Sequence, residues 1–165
     1  MSPEDLLGLG FASELVILIT AALPILELRG AIPVGIILLD LPWYYVLLLA
    51  LIGNLLPVPF ILLFLDSATR LLSRVRLLDR FLAWLFERTR RRGKIIETYE
   101  RIGLVLFVAV PLPVTGAWTG SLAAVLFGMG FRHAFLCIAT GVLIAGAVVT
   151  ALSCFGVALY GMWQP

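Results

Sequence analysis

Glu27 and Arg29 are an acid and a base two positions apart near the middle of an apolar run that extends from about Phe11 to Leu39. Charged side chains at the centre of a bilayer cost roughly 2.5–3.5 kcal/mol each on insertion scales, so they are rare there without a function. A carboxylate beside an arginine in apolar surroundings is suited to carrying a proton or contacting a charged ligand. The alternative is a mutual salt bridge that only fixes the local fold.

Residues that disfavour an uninterrupted helix surround this pair: Pro24 and Pro33 flank it, and Gly30 follows it directly. On a helix, side chains two positions apart point to roughly opposite faces, whereas in an extended segment they point the same way. We therefore expect a broken or re-entrant element in which Glu27 and Arg29 line one cavity from a non-helical tip.

A second break, without any charge, is predicted in a later apolar run. Pro111 and Pro113 should end one half-helix, and Thr115 should cap the next one. The free N–H groups at that helix start, with the hydroxyls of Thr115 and Thr119, predict a site for an anion or a dipole. The alternative is a satisfied kink in which small residues such as Gly116 allow close packing.

The composition indicates an integral membrane protein. The chain has 165 residues, is 62% hydrophobic and has a mean hydropathy of +1.10. Its charged fraction of 13% is about half that of a soluble domain.

The first ten residues lack the basic segment of a secretory signal, so we expect a mature N-terminus. No metal-ligand cluster or nucleophile–base pair stands out, and neither an enzyme nor a cofactor is predicted. If their stretch is helical, Cys137 and Cys154 lie roughly 25 Å apart, too far for a disulfide.

Four apolar runs suggest an all-α internal repeat. The second and fourth are candidates for full crossings, whereas the halves of the first and third are too short to cross separately. Sliding the chain by 86 positions places Gly30-Ala31 on Gly116-Ala117, and a slightly larger displacement places Gly53 near Gly141. We expect two inverted units, each a re-entrant helical hairpin followed by a crossing, with hairpin tips that meet near the midplane. The alternative is four spanning helices, two of them kinked. The runs are about Phe11–Leu39, Trp43–Leu65, Ile102–Phe127 and Ala134–Trp163.

The whole chain is predicted to be one transmembrane domain, with repeat 1 at about 11–65 and repeat 2 at about 102–163. Between them, at about 66–101, lie all but two of the twelve Lys and Arg residues. The positive-inside bias places this segment in the cytoplasm as an amphipathic surface helix, and nucleic acid is not a predicted partner. In the second run, Asn54 is expected to serve packing or to hydrogen-bond a hairpin tip.

These motifs resemble the small multidrug export protein family of archaeal and bacterial membranes. The resemblance covers nearly the whole chain and is carried by the two tips and by the basic segment between them, that is by Glu27–Pro33 and Pro111–Gly120. More distantly the chain looks like the DedA superfamily, whose paired re-entrant hairpins are implicated in moving polyprenyl-phosphate or other lipids. By that resemblance Glu27 maps to the acid of the first hairpin. The arginines that DedA proteins carry around the second hairpin are missing from its tip here.

We therefore expect a multi-pass transporter in a prokaryotic cell membrane, forming a homodimer in contact with membrane lipids. The leading hypothesis is proton- or ion-coupled export of a small amphipathic solute. Its predicted site comprises Glu27, Arg29, Gly30 and Pro33 with the second tip and Asn54. A lipid-phosphate flippase or scramblase is the second hypothesis, and a non-transporting membrane scaffold is the third.

Overall fold

A computed structural model describes residues 12–72, 93–111 and 115–163, and these residues form helices joined by turns. The apolar runs and their proline breaks determine where the helices begin and end, because a backbone in apolar surroundings must satisfy its own hydrogen bonds. The elements are α1 (Ser13–Ala22), α2 (Glu27–Pro33) with a π-helical turn (Val34–Leu38), α3 (Trp43–Leu55), α4 (Pro57–Leu72), α5 (Gly93–Ala109), α6 (Ala117–Leu126) and α7 (Phe131–Trp163).

The break in the first apolar run lies just before the charged pair. The chain turns between α1 and α2, and α2 then includes Glu27, Arg29 and Gly30. The prediction of a non-helical tip around Gly30 is therefore wrong. The N–H of Gly30 donates to the Leu26 carbonyl at 2.9 Å, a helical bond that an unwound tip would forfeit. Pro33 is the last residue of α2, and the π-helical turn follows it directly.

Within the described ranges, two helices are long and apolar enough to cross a membrane, by length and composition. One spans Trp43–Phe64 and bends where α3 meets α4, and the other spans Phe131–Tyr160. The prediction that the second and fourth apolar runs form the helices able to cross a membrane is confirmed by length and composition. By contrast, α1 and α6 have ten residues each and are about 15 Å long, half of a hydrocarbon core.

Glycines allow close approaches between helices in both halves of the chain. A Cβ at Gly53 of α3 would lie 2.6 Å from the Leu18 carbonyl oxygen of α1. A Cβ at Gly141 of α7 would lie 2.9 Å from the Val105 carbonyl oxygen of α5. Within each half, α1 packs on α2 and α3, and α5 packs on α6 and α7. Between the halves, α3 packs on α7, α4 packs on α6, and α2 packs on α7.

The outer surface of these helices is apolar. Large side chains that would be buried in a soluble protein stand outward along both long helices and α5, and lipid is the solvent that such a surface requires. Examples are Leu48, Ile52, Phe60, Leu106, Leu152 and Phe155. Asp40 instead lies exposed in the turn before α3. The two cysteines are free thiols.

The predicted basic surface helix lies largely outside the described residues, since residues 73–92 separate α4 from α5. The same holds for the first eleven residues and for Pro113. Predictions on these segments stay predictions.

Candidate functional site

The carboxylate of Glu27 lies against the N-terminus of α6. The side chain is only 6% exposed, and its Oε1 accepts a hydrogen bond from the backbone N–H of Trp118 at 3.4 Å. Glu27 itself has a φ of 50°, in the left-handed region that residues other than glycine rarely adopt. This backbone conformation changes the direction of its side chain relative to regular helix. Both Glu27 and Arg29 can therefore contact the second break although α2 is helical.

Gly116 makes this approach possible. It is the residue before α6 and has a φ of 155°, and a Cβ there would overlap the Glu27 carboxylate. The first N–H groups of a helix have no partner within it and attract negative charge. The predicted anion site at this helix start is thus filled by the protein's own carboxylate.

Thr115 does not cap α6, so that prediction is wrong: no side chain of the cap residue bonds the helix start, and the cap is Gly116. The Thr115 hydroxyl instead donates to the carbonyl of Val110 at 2.8 Å, just past the end of α5. Because the hydroxyl is used there, the Glu27 carboxylate from the other half of the chain takes the place of a local cap.

Arg29 completes a second contact between the two breaks. Its guanidinium donates to Thr115 Oγ1 at 3.0 Å and to the Val110 carbonyl at 3.5 Å. The two charged side chains thus contact different parts of the second break. Glu27 lies at the start of α6, and Arg29 bonds oxygens of the segment that follows α5. Each of these positions offers complementary partial charge, N–H groups to the carboxylate and oxygens to the guanidinium.

Trp118 is a site residue that sequence reasoning missed. Its indole Nε1–H donates to the carbonyl of Ala22, the last residue of α1, at 3.1 Å. A tryptophan needs a partner for its N–H when buried, and a broken helix offers free carbonyls at its end. The sequence signal that could have indicated this role was a Trp in the first turn of the predicted second half-helix. Trp118 therefore donates two hydrogen bonds to the first break, one from its backbone N–H to Glu27 and one from its indole to Ala22.

Other predicted residues have lesser parts in this contact. The Thr119 hydroxyl donates to the Gly116 carbonyl at 3.5 Å, within its own helix. Gly30 packs on the Leu26 side chain, and Pro111 follows the end of α5. Asn54 is fully buried in α3, and neither of its amide atoms has a hydrogen-bond partner among the described residues. Between Asn54 and the described residues of the two tips, the predicted hydrogen bond is therefore not formed.

The described chain combines an apolar outer surface, two helices able to cross a membrane, and a buried acid with a half-buried base where two broken helices meet. These features define a helical membrane protein with a charged internal site. A family model described as "Putative small multi-drug export protein" matches residues 27–148. The chain belongs to this family, as the two motifs predicted, and the match contains the charged pair and the second break. It is a family of export proteins rather than of enzymes. No curated protein and no solved structure matches the chain.

Proposed function

We propose that the protein is a proton- or ion-coupled exporter of small amphipathic solutes, with Glu27 as the coupling acid. The observation that carries the proposal is the buried Glu27 carboxylate, held at the N-terminus of α6 by the backbone of the opposite break. A membership in an export family supports transport at the coarse level. The choice of Glu27 as the coupling acid rests on the position of its carboxylate at the N-terminus of α6.

Proton binding at Glu27 would change the contact between the two breaks. The neutral acid loses most of its attraction to the partial positive charge of the α6 N-terminus. Gly116 and Trp118 then hold one break against the other less tightly, while Arg29 keeps its oxygen partners at Val110 and Thr115. A cationic or amphipathic solute that approaches from the membrane competes with the proton for the carboxylate. Alternation between these states is what coupled export requires.

We further propose that the two halves are inverted repeats whose hairpins enter from opposite faces. Arg29 and Thr115, which are hydrogen-bonded, lie 86 positions apart. This is the same displacement that places Gly30 on Gly116, and equivalent residues are expected to meet on a two-fold axis. Gly53 and Gly141 also make similar contacts, because each lies close to a backbone carbonyl of the first half-helix of its own repeat, α1 or α5. Likewise α4 packs on α6 as α7 packs on α2.

The topology has a direct test. With re-entrant hairpins the N-terminus lies outside and the basic segment in the cytoplasm, whereas four spanning helices place the N-terminus inside. A single cysteine near Ser2, in a chain whose two native cysteines are replaced, should react with an impermeant reagent added outside. Labelling from the cytoplasmic side alone would exclude the hairpins.

A homodimer is part of the proposal, because so few helices can scarcely enclose a pathway. Both long helices carry exposed apolar side chains that a second copy of the chain would contact within the bilayer. Cross-linking in liposomes should trap a dimer at low protein-to-lipid ratio. A monomeric mass both in detergent and in lipid would contradict it.

Proton flux in liposomes tests the role of Glu27. We expect Glu27→Gln to abolish substrate-dependent proton flux, because the amide keeps the shape but cannot carry the proton. Glu14→Gln is the matched control: it removes another carboxylate, in α1, that lies away from the two breaks. Substrate-dependent flux that survives in a folded Glu27→Gln protein refutes the assignment.

A lipid-phosphate flippase is the second candidate function, and one observation favours it. If Glu27 leaves, the α6 N-terminus and the Arg29 guanidinium lie close enough together to bind one phosphate group. Movement of a labelled polyprenyl phosphate in liposomes, without efflux of cationic dyes, would select this function. Dye efflux without lipid movement would select the exporter.

A further inference from the structure

A groove opens between α5 and α6 on the apolar outer surface of the second half of the chain. Its volume is about 430 Å³, within the range of roughly 300–1,000 Å³ that is typical of pockets for small molecules. Four residues of α5 line one side, and two residues at the end of α6 line the other. The lining residues are Glu100, Gly103, Leu104, Phe107, Ala123 and Phe127.

The groove exists because small residues occupy its middle. The four α5 residues recur at intervals of three and four positions, so they share one face of the helix. Gly103 lies within this face, and a Cβ built there would meet no other atom within 4 Å. From the side of α6, Ala123 contributes only a methyl group. The space above Gly103 is therefore open to a ligand.

Glu100 gives the groove one charged end. It lies half-buried just before the apolar run that begins at Ile102. Arg101 follows in sequence but lies about 100° further round the helix. Within the part of the chain that the structure describes, the lining of the groove contains one acidic and no basic side chain. The groove thus offers a single negative charge at the edge of the apolar run.

The rest of the groove is apolar and aromatic. Phe107 lies two turns further along α5 than Glu100, about 10 Å nearer the second break. The rings of Phe107 and Phe127 are 40% and 45% exposed, so both are accessible to a bound molecule. Burying apolar area against such rings is favourable, and aromatic side chains also attract cations. A ligand that matches this lining has a positive charge and an apolar, aromatic body.

We propose that the groove binds a small aromatic monocation, with its charge beside Glu100 and its rings against Phe107 and Phe127. An anionic molecule of the same shape is repelled by the carboxylate, and a neutral lipid chain gains nothing from it. Binding in this groove rests on the lining residues alone and does not involve Glu27.

The position of the groove suits a site where a solute enters from the membrane. Phe107 lies one helical turn before Val110, whose carbonyl accepts a bond from Arg29. A cation held in the groove is therefore one turn away from the contact between the two breaks. This role as the entry site rests on the proposed export function and names its substrate class.

Binding of radiolabelled tetraphenylphosphonium to purified protein in detergent tests the site without any transport. Tetraphenylborate is the matched probe, because it has the same shape and the opposite charge. We expect saturable binding of one tetraphenylphosphonium per chain and no saturable binding of tetraphenylborate. Equal binding of the two ions would show an apolar groove without charge selection, which overturns the proposal.

Two variants act on different parts of the groove. Glu100→Gln should weaken tetraphenylphosphonium binding at least about fivefold, because a charge pair in apolar surroundings is only weakly screened. Gly103→Leu fills the groove and should weaken binding at least about tenfold. It should also fold, since no atom lies within 4 Å of the new Cβ.

Each variant has a control elsewhere in the chain that should bind like wild type. Glu14→Gln removes a carboxylate from α1, and Gly156→Leu enlarges a glycine of α7 that is equally open. Far-ultraviolet circular dichroism establishes that all four variants are folded. Binding that both Glu100→Gln and Gly103→Leu leave unchanged places the cation elsewhere and overturns the proposal, as does the absence of saturable binding to wild type.

The binding assay and the flux assay separate this site from the coupling acid. Tetraphenylphosphonium binding that depends on Glu100, in a protein without substrate-dependent proton flux, retains the groove and rejects the role of Glu27. Proton flux that depends on Glu27, in a protein whose groove binds no tetraphenylphosphonium, retains the coupling acid and rejects the groove.

Discussion

Substituting Gly116 by alanine tests the contact on which the proposed site depends. One methyl group at this position would overlap the Glu27 carboxylate, so either the carboxylate or the start of α6 must move. Overpacking a fitted interior costs about 1–3 kcal/mol. The backbone at φ 155° adds about 1–3 kcal/mol for a residue with a Cβ, because its dihedral angles lie in a region that essentially only glycine adopts. We expect Gly116→Ala to lower the free energy of unfolding by about 2–6 kcal/mol.

A double-mutant cycle separates the two contributions. In a Glu27→Ala background the overlapping carboxylate is gone, and Gly116→Ala should cost only the backbone part, about 1–3 kcal/mol. The coupling between the two positions should therefore be about 1–3 kcal/mol. SDS-induced unfolding in mixed micelles, followed by far-ultraviolet circular dichroism, measures all four proteins under one condition.

Gly103→Ala is the matched control for this cycle. It is the same substitution in α5, where an added Cβ meets no other atom within 4 Å. Alanine favours a helix over glycine by about 1 kcal/mol, so the control should unfold at equal or higher SDS. If Gly116→Ala costs the same with and without Glu27, the carboxylate does not lie at the α6 N-terminus and the reasoning fails.

Two further predictions use the same unfolding assay. Gly53→Ala and Gly141→Ala should each lower the free energy of unfolding by about 1–3 kcal/mol, because each new Cβ would press on a carbonyl of a neighbouring helix. Gly156→Ala, where nothing lies within 4 Å, should be neutral, and equal effects of all three would contradict the proposed close approaches. Trp118→Phe should cost about 0.5–1.5 kcal/mol through the lost bond to the end of α1. The exposed Trp43→Phe serves as its control, and an equal loss there would argue against the Trp118 bond.

The candidate site was only partly predictable. The sequence predicts that Glu27, Arg29 and the second break belong together, because a buried charge must find a partner and two interrupted runs offer free backbone groups. It predicts the wrong cap for α6, since Thr115 is the local choice by residue type. The hydroxyl instead bonds the end of α5, and a carboxylate from the opposite half replaces it. Trp118 and its acceptor lie 96 positions apart, a pairing that no local pattern specifies.

The sequence by itself determined the solvent, the number of long helices and the presence of two breaks. These depend on local properties: apolar length decides what can cross a membrane, and proline or glycine decides where backbone donors are missing. Only the tertiary structure decided that the Glu27 backbone turns left-handed at the start of α2 and that the helix then continues through Arg29 and Gly30. It also decided that Asn54 is buried without a hydrogen-bond partner among the described residues. Each depends on which atoms a distant segment brings to the site, and the free energy of those contacts outweighs local preference.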